Sequence, residues 1–130
     1  YANTGLKEDE ASRILTVLEQ LMQQQKIFLD PEITIEKLAT MVNSNRHFVS
    51  QVLNERAGQS FYDYINQYRV NEAKRLLLDP EYSNQKIASI AYDAGFNSLS
   101  AFNDVFKKVT GTTPSQFKKD EQPVSRQQRG

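Results

Sequence analysis

Residues 35–58 read IEKLATMVNSNRHFVSQVLNERAG, and residues 87–111 read IASIAYDAGFNSLSAFNDVFKKVTG. The second stretch repeats the first. Ile35, Leu38, Ala39 and Val42 return 52 residues later as Ile87, Ile90, Ala91 and Ala94. This is the i, i+3, i+4, i+7 spacing of a helix with one apolar face. Val49, Val52, Leu53 and Gly58 return 53 residues later as Phe102, Val105, Phe106 and Gly111. The offset grows by one between the two apolar sets, so the second turn is one residue longer than the first. Each copy therefore reads helix, tight turn, helix.

The turn residues carry the same message. Four residues after the small Ala39 comes Asn43, and four after Ala91 comes Gly95. Asn and Gly tolerate a positive φ, which a chain needs when it leaves one helix and turns sharply into the next. The alanines let the two helices cross closely. Together these features are the signature of a helix-turn-helix, here in duplicate.

Outward from the repeat, the rest of the chain is also helical in pattern. Ala11, Ile14, Leu15, Leu18, Leu21 and Met22 fall on one helix face after an acidic stretch, Glu8, Asp9 and Glu10, suited to a helix N-terminus. Asp30-Pro31 breaks that helix. Thr34 and Asn45 are placed to cap the two helices of the first copy, which stops at Gly58. Ser60 caps a long helix that ends at Asp79-Pro80. Helices over about 84–94 and 99–109 follow. Thr113, Pro114 and Gln116 match a capping box with proline in the first helical position. No segment alternates with period two, so the fold class is all-α, with about seven helices.

The domain reading follows from these breaks. Residues 1–33 form a lead-in with an acidic amphipathic helix, and residues 34–119 form a double helix-turn-helix domain. Within it, 34–58 is the first unit, 60–78 the linker helix and 84–119 the second unit. Residues 120–130 are polar and without periodicity, and are expected to be a disordered tail. The chain starts at Tyr1 with no initiator methionine, the expectation for an excised or processed piece of a longer protein.

Composition narrows the functions open to it. Of 130 residues, 38% are hydrophobic and 25% charged, the balance of a folded domain. No apolar run approaches the roughly 18 residues a bilayer span needs. Cysteine is absent and histidine occurs once, so there is no thiolate nucleophile, no disulfide and no metal-spaced cluster. That usage fits a reducing cytoplasm, and nothing in the sequence asks for a cofactor or metal. An enzyme lacks a nucleophile with an evident base. The net charge is zero but unevenly spread. Residues 1–36 hold three basic and seven acidic groups, 45–78 five basic and three acidic, and 96–119 four basic and one acidic. Positive charge gathers at the repeated units, which suits an anionic partner. A helical module binding protein or RNA is the competing class.

The run LATMVNSNRHFVSQVLNERAGQSFYDYINQYRVNEAKRLL followed by IASIAYDAGFNSLSAFNDVFKKVTGTTPSQFKK resembles the DNA-binding domain of AraC-type transcription regulators. The likeness covers about residues 34–119 and is most specific in the C-terminal GF, S, F, FKK, G, TP, F series. YANTGL and the first helix are similar to the lead-in of members from Bacteroidetes-like bacteria. The resemblance implies two helix-turn-helix units on a linker helix, each second helix entering a major groove of double-stranded DNA. It implies a C-terminal output domain of a longer regulator, with a sensor, in some members membrane-anchored, missing from this chain. RNA polymerase is a further partner it allows, and it leaves the oligomeric state open.

The same resemblance assigns residues. With Val49, Val52 and Leu53 inward, the face left for DNA on the first recognition helix is Arg46, His47, Ser50, Gln51 and Asn54. The family's base-reading positions fall on His47, Ser50 and Gln51. Gln51 suits a bidentate contact to adenine and Arg46 suits phosphate. On the second recognition helix the outward set is Leu99, Ser100, Asn103, Asp104 and Lys107. Ser100 and Asn103 are the preferred base readers, and Lys107 and Lys108 the phosphate contacts. Leu99 can meet a thymine methyl. Asp104 can accept from cytosine N4, pair with a neighbouring lysine or repel phosphate.

Overall fold

Seven α-helices and no strand make up the described residues, 4–121, of the computed structural model. They are α1 (Thr4–Gln23), α2 (Ile35–Met41), α3 (Arg46–Val52), α4 (Phe61–Leu78), α5 (Ile87–Asp93), α6 (Leu99–Thr110) and α7 (Pro114–Glu121). The chain divides into two compact units, Tyr1–Ile65 and Asn66–Gly130, so the boundary falls inside α4.

Five helix starts are set by the side chain just before them. Thr34, Asn45, Ser60, Ser98 and Thr113 each accept a hydrogen bond from the backbone N–H three residues on, at 2.9–3.2 Å. Each satisfies a donor the helix leaves unpaired, worth about 1 kcal/mol. The capping box at Thr113 is only half made. Gln116 sends its amide forward to Asp120 at 2.7 Å instead of back to Thr113.

Both tight turns are built alike. Asn43 has φ 56° and Gly95 has φ 101°. In the first turn, Ser44 N–H donates to the Ala39 carbonyl at 2.9 Å and Asn43 N–H to that of Thr40 at 3.1 Å. In the second, Phe96 N–H donates to Ala91 and Gly95 N–H to Tyr92, both at 3.0 Å. This pair of bonds closes a helix on a left-handed residue and turns the chain into the next element. The span from the left-handed residue to the next cap is 43–45 in one copy and 95–98 in the other, the expected extra residue.

Several boundaries differ from the sequence expectation. Helix α1 begins at Thr4, so Glu8, Asp9 and Glu10 lie inside it. Glu8 and Glu10 are used sideways, toward Arg56 and Arg13, and not at a helix end. Helix α5 starts at Ile87, later than 84, because Pro80–Tyr82 forms a short 3-10 turn and Gln85 N–H bonds back to Tyr82. Helix α7 runs through Asp120 to Glu121 with two lysines in its last turn, so these two residues of the expected tail are helical. The remainder of the expected tail, 122–130, lies outside the described residues.

Each unit has its own apolar centre. In the first, Ile14, Leu18 and Met22 of α1, Leu38 and Ala39 of α2, and Val49, Val52 and Leu53 are buried. In the second, Val70, Ala73, Leu76 and Leu77 of α4 pack with Ile90, Ala91, Ala94, Phe96, Phe102 and Phe106. Rings there meet edge-on, Phe102 with Phe106 and Phe106 with Phe117, both at 5.5 Å. Phe117 is half-buried and packs against this centre.

Candidate nucleic-acid interface

The core residues decide which faces are left over. Helix α3 turns Val49 and Val52 inward, and Arg46, His47 and Gln51 stand exposed with Ser50 half-buried. Beyond Val52 the chain widens into a π turn, Leu53–Ala57, stopped by Gly58 at φ 66°. Asn54 and Glu55 extend the exposed face along that turn. His47, Ser50, Gln51, Asn54 and Glu55 together line a shallow hollow. The three expected base readers of the first unit are thus brought together.

Two carboxylates shape that face. Nη1 of Arg46 donates to Glu36 of α2 at 2.9 Å, and Nε2 of Gln51 donates to Glu55 at 3.2 Å. The Arg46–Glu36 pair is well exposed, so it is worth at most about 1 kcal/mol and does not prevent Arg46 from meeting a phosphate. The Gln51 bond still leaves its amide oxygen and one N–H to face a base. Glu36 and Glu55 were not among the residues singled out from the sequence. The spacing of Glu55, four residues after Gln51 on one helix face, was a signal that could have found it.

On α6, Phe102 and Phe106 are fully buried and hold the helix down. Ser100, Asn103, Asp104, Lys107 and Lys108 are exposed, and Leu99 is 38% exposed, one of the few large apolar side chains that are. Asp104 makes no ion pair with Lys107 or Lys108. Other cations of this unit are engaged within it. Lys118 donates to the Ser83 carbonyl at 3.1 Å, Lys74 lies 5.9 Å from the centre of Phe117, and Arg69 lies 5.8 Å from that of Phe96.

The two faces correspond through the repeat, residue by residue at 53: Arg46 with Leu99, His47 with Ser100, Ser50 with Asn103, Gln51 with Asp104, Asn54 with Lys107, Glu55 with Lys108. The first face carries its cation at the helix start and its anion at the end. The second has no charge at the start and two cations at the end. The imbalance extends to whole units. Residues 1–65 hold six basic and nine acidic groups, and residues 66–130 ten basic and seven acidic. Among the described residues no cluster could hold a metal ion, and no helix is long and apolar enough to cross a membrane.

Two turns of one design, each presenting a polar helix face, define a tandem helix-turn-helix protein. A family profile described as a helix-turn-helix domain matches residues 38–120, and the chain belongs to that family, in its AraC-type branch. An uncharacterised HTH-type transcriptional regulator of Staphylococcus aureus is 25% identical over 123 residues, which cover 95% of this chain and 15% of that protein. The chain thus spans a small part of the length of the first curated relatives it matches. Among solved structures, the C-terminal domain of the two-component response regulator yesN from Fusobacterium nucleatum is 28% identical with a TM-score of 0.67. That likeness covers 78% of this chain and 97% of the other. The DNA-binding domain of AdpA, solved in complex with a target DNA, has a TM-score of 0.73 over 91% of this chain and 98% of its own. At 19% identity the AdpA likeness concerns the fold alone.

Proposed function

We propose that this chain binds double-stranded DNA in a sequence-specific manner and serves as the output domain of a longer transcription regulator. The observation that carries the reading is the pair of exposed polar faces, α3 and α6, each held behind the same hydrogen-bonded turn. His47, Ser50 and Gln51 read bases in the first unit. Ser100 and Asn103 do so in the second, with Leu99 against a thymine methyl and Asp104 accepting from cytosine. Arg46, Lys107 and Lys108 meet phosphates and set register. Helix α4, at 18 residues, is about 27 Å long. That is close to the roughly 34 Å of one DNA turn, which suits two recognition helices in successive major grooves.

The remainder of the regulator is proposed to hold the sensor, and RNA polymerase is a further partner that this reading allows. The protein works where bacterial DNA lies, in the cytoplasm, and acts by binding and not by catalysis. Selection from a randomised duplex pool tests the reading directly. Two short enriched blocks about one helical turn apart are expected. Recovery of no sequence preference and no salt-dependent retention overturns it in favour of a protein partner.

A further inference from the structure

Helix α1 lies outside both helix-turn-helix units, yet it grips the first of them by two charged contacts. Nη2 of Arg13 donates to the backbone carbonyl of Val42 at 2.9 Å. Val42 is the C-cap of α2, immediately before the left-handed Asn43. The turn's own N–H groups take the Ala39 and Thr40 carbonyls, and the Val42 carbonyl takes the Arg13 guanidinium, a cation at a helix C-terminus, where the helix dipole favours one. Arg13 is itself held rigid by a two-pronged pair with Glu10, at 2.7 and 2.8 Å. The second contact is at the other end of the recognition element. Nη2 of Arg56, in the π turn that follows α3, donates to Glu8 at 2.6 Å. Between these two points α1 packs on α3, and Glu8, Ala11, Gln51, Glu55 and Arg56 share one small cleft with it. Gln51, an expected base reader, therefore stands on the wall of the α1–α3 cleft.

We infer that Arg13 and the Glu8–Arg56 pair are positioning residues for DNA reading: α1 fixes the angle and the far end of α3 through them. The inference rests on the DNA-binding reading above. Base contacts tolerate little displacement, because a bidentate amide–adenine pair needs both hydrogen bonds in line at once. A recognition helix released at its turn or at its end still meets phosphates but discriminates bases less. The effect is expected at the bases read by α3, the helix whose turn and far end these contacts hold.

The test compares base preferences of the 130-residue chain and three variants on duplexes selected with the parent. Arg13→Gln removes the turn contact, and Glu8→Gln removes the exposed partner of Arg56 with little risk to folding. Glu8→Arg combined with Arg56→Glu restores the second contact with its charges exchanged. Discrimination at the bases read by α3 is expected to fall about fivefold in each single variant, within the range such couplings show. Preferences at the bases read by α6 stay unchanged, and the exchanged pair recovers much of what Glu8→Gln loses. Parent-like preferences in folded Arg13→Gln and Glu8→Gln overturn the inference. So does an equal loss at the bases of both units, which would mark a general loss of structure. A parent that selects no sequence at all overturns the DNA-binding reading itself, and this inference falls with it.

Discussion

Gln51 and Lys107 stand on the exposed faces of α3 and α6 but have different chemistry to offer. An amide presents a donor and an acceptor in a fixed plane, so its contribution depends on which base it faces. An ammonium presents a point charge, and any phosphate suits it. Gln51→Ala is expected to cost about 1–3 kcal/mol of discrimination at one base position, measured by competition between single-base duplex variants. Lys107→Ala is expected to weaken all sequences together and to lower the slope of log affinity against log salt by about one. Glu10 supplies a residue-level prediction about pH. Its carboxyl is held below the ordinary value of 4.5 first by the hydrogen bond from Arg13, with burial opposing and direct charge attraction adding. Folded, the group therefore binds fewer protons than in the unfolded chain, and its stabilisation is full above the ordinary value. It is lost as pH falls through the lowered one. The melting temperature of Glu10→Gln should approach that of the parent on acidification and fall below it at neutral pH.

At the scale of elements, the turns give the sharpest expectations. Asn43 holds φ at 56°, where asparagine is tolerated and a β-branched residue is not. Asn43→Gly should leave urea unfolding within about 0.5 kcal/mol of the parent, since glycine takes the same backbone freely. Asn43→Val should cost about 1–2 kcal/mol. These turns were legible in the sequence, and so were Thr34, Asn45, Ser60 and Thr113, because a cap and a left-handed residue act within four positions of themselves. What was not legible depends on partners far along the chain. Glu8 looked like the acid of a helix N-terminus, but it lies inside α1 and pairs with Arg56, 48 residues away. Gln116 had two acceptable partners in reach and took Asp120, a choice that the motif alone does not decide. The π turn after Val52 left no local mark, since residues 53–57 read as ordinary helix. The face residues of α3 and α6 were legible for a different reason: an apolar stripe defines its opposite face by elimination, whereas the carboxylates that modify that face, Glu36 and Glu55, act through contacts the stripe does not show.

Taken whole, the molecule is two separately cored units on one chain, and damage to one should stay there. Phe106 is fully buried among the aromatic rings of the second unit. Phe106→Ala is expected to cost about 3–5 kcal/mol. Hydrogen exchange should report that loss in amides of α5 and α6 and leave those of α2 and α3 near their parent rates. The uneven sharing of charge has a consequence in time. A chain neutral in sum would be expected to meet DNA without preference, yet one unit carries three more cations than anions and the other three more anions than cations. Attraction over a Debye length acts on the cationic unit and opposes the acidic one. On the proposed reading, capture would begin at the cationic unit, and α3 would be laid down afterwards on a duplex already held. Recognition by this protein would be an ordered event, arrival first and reading second, with salt deciding how long the first step lasts.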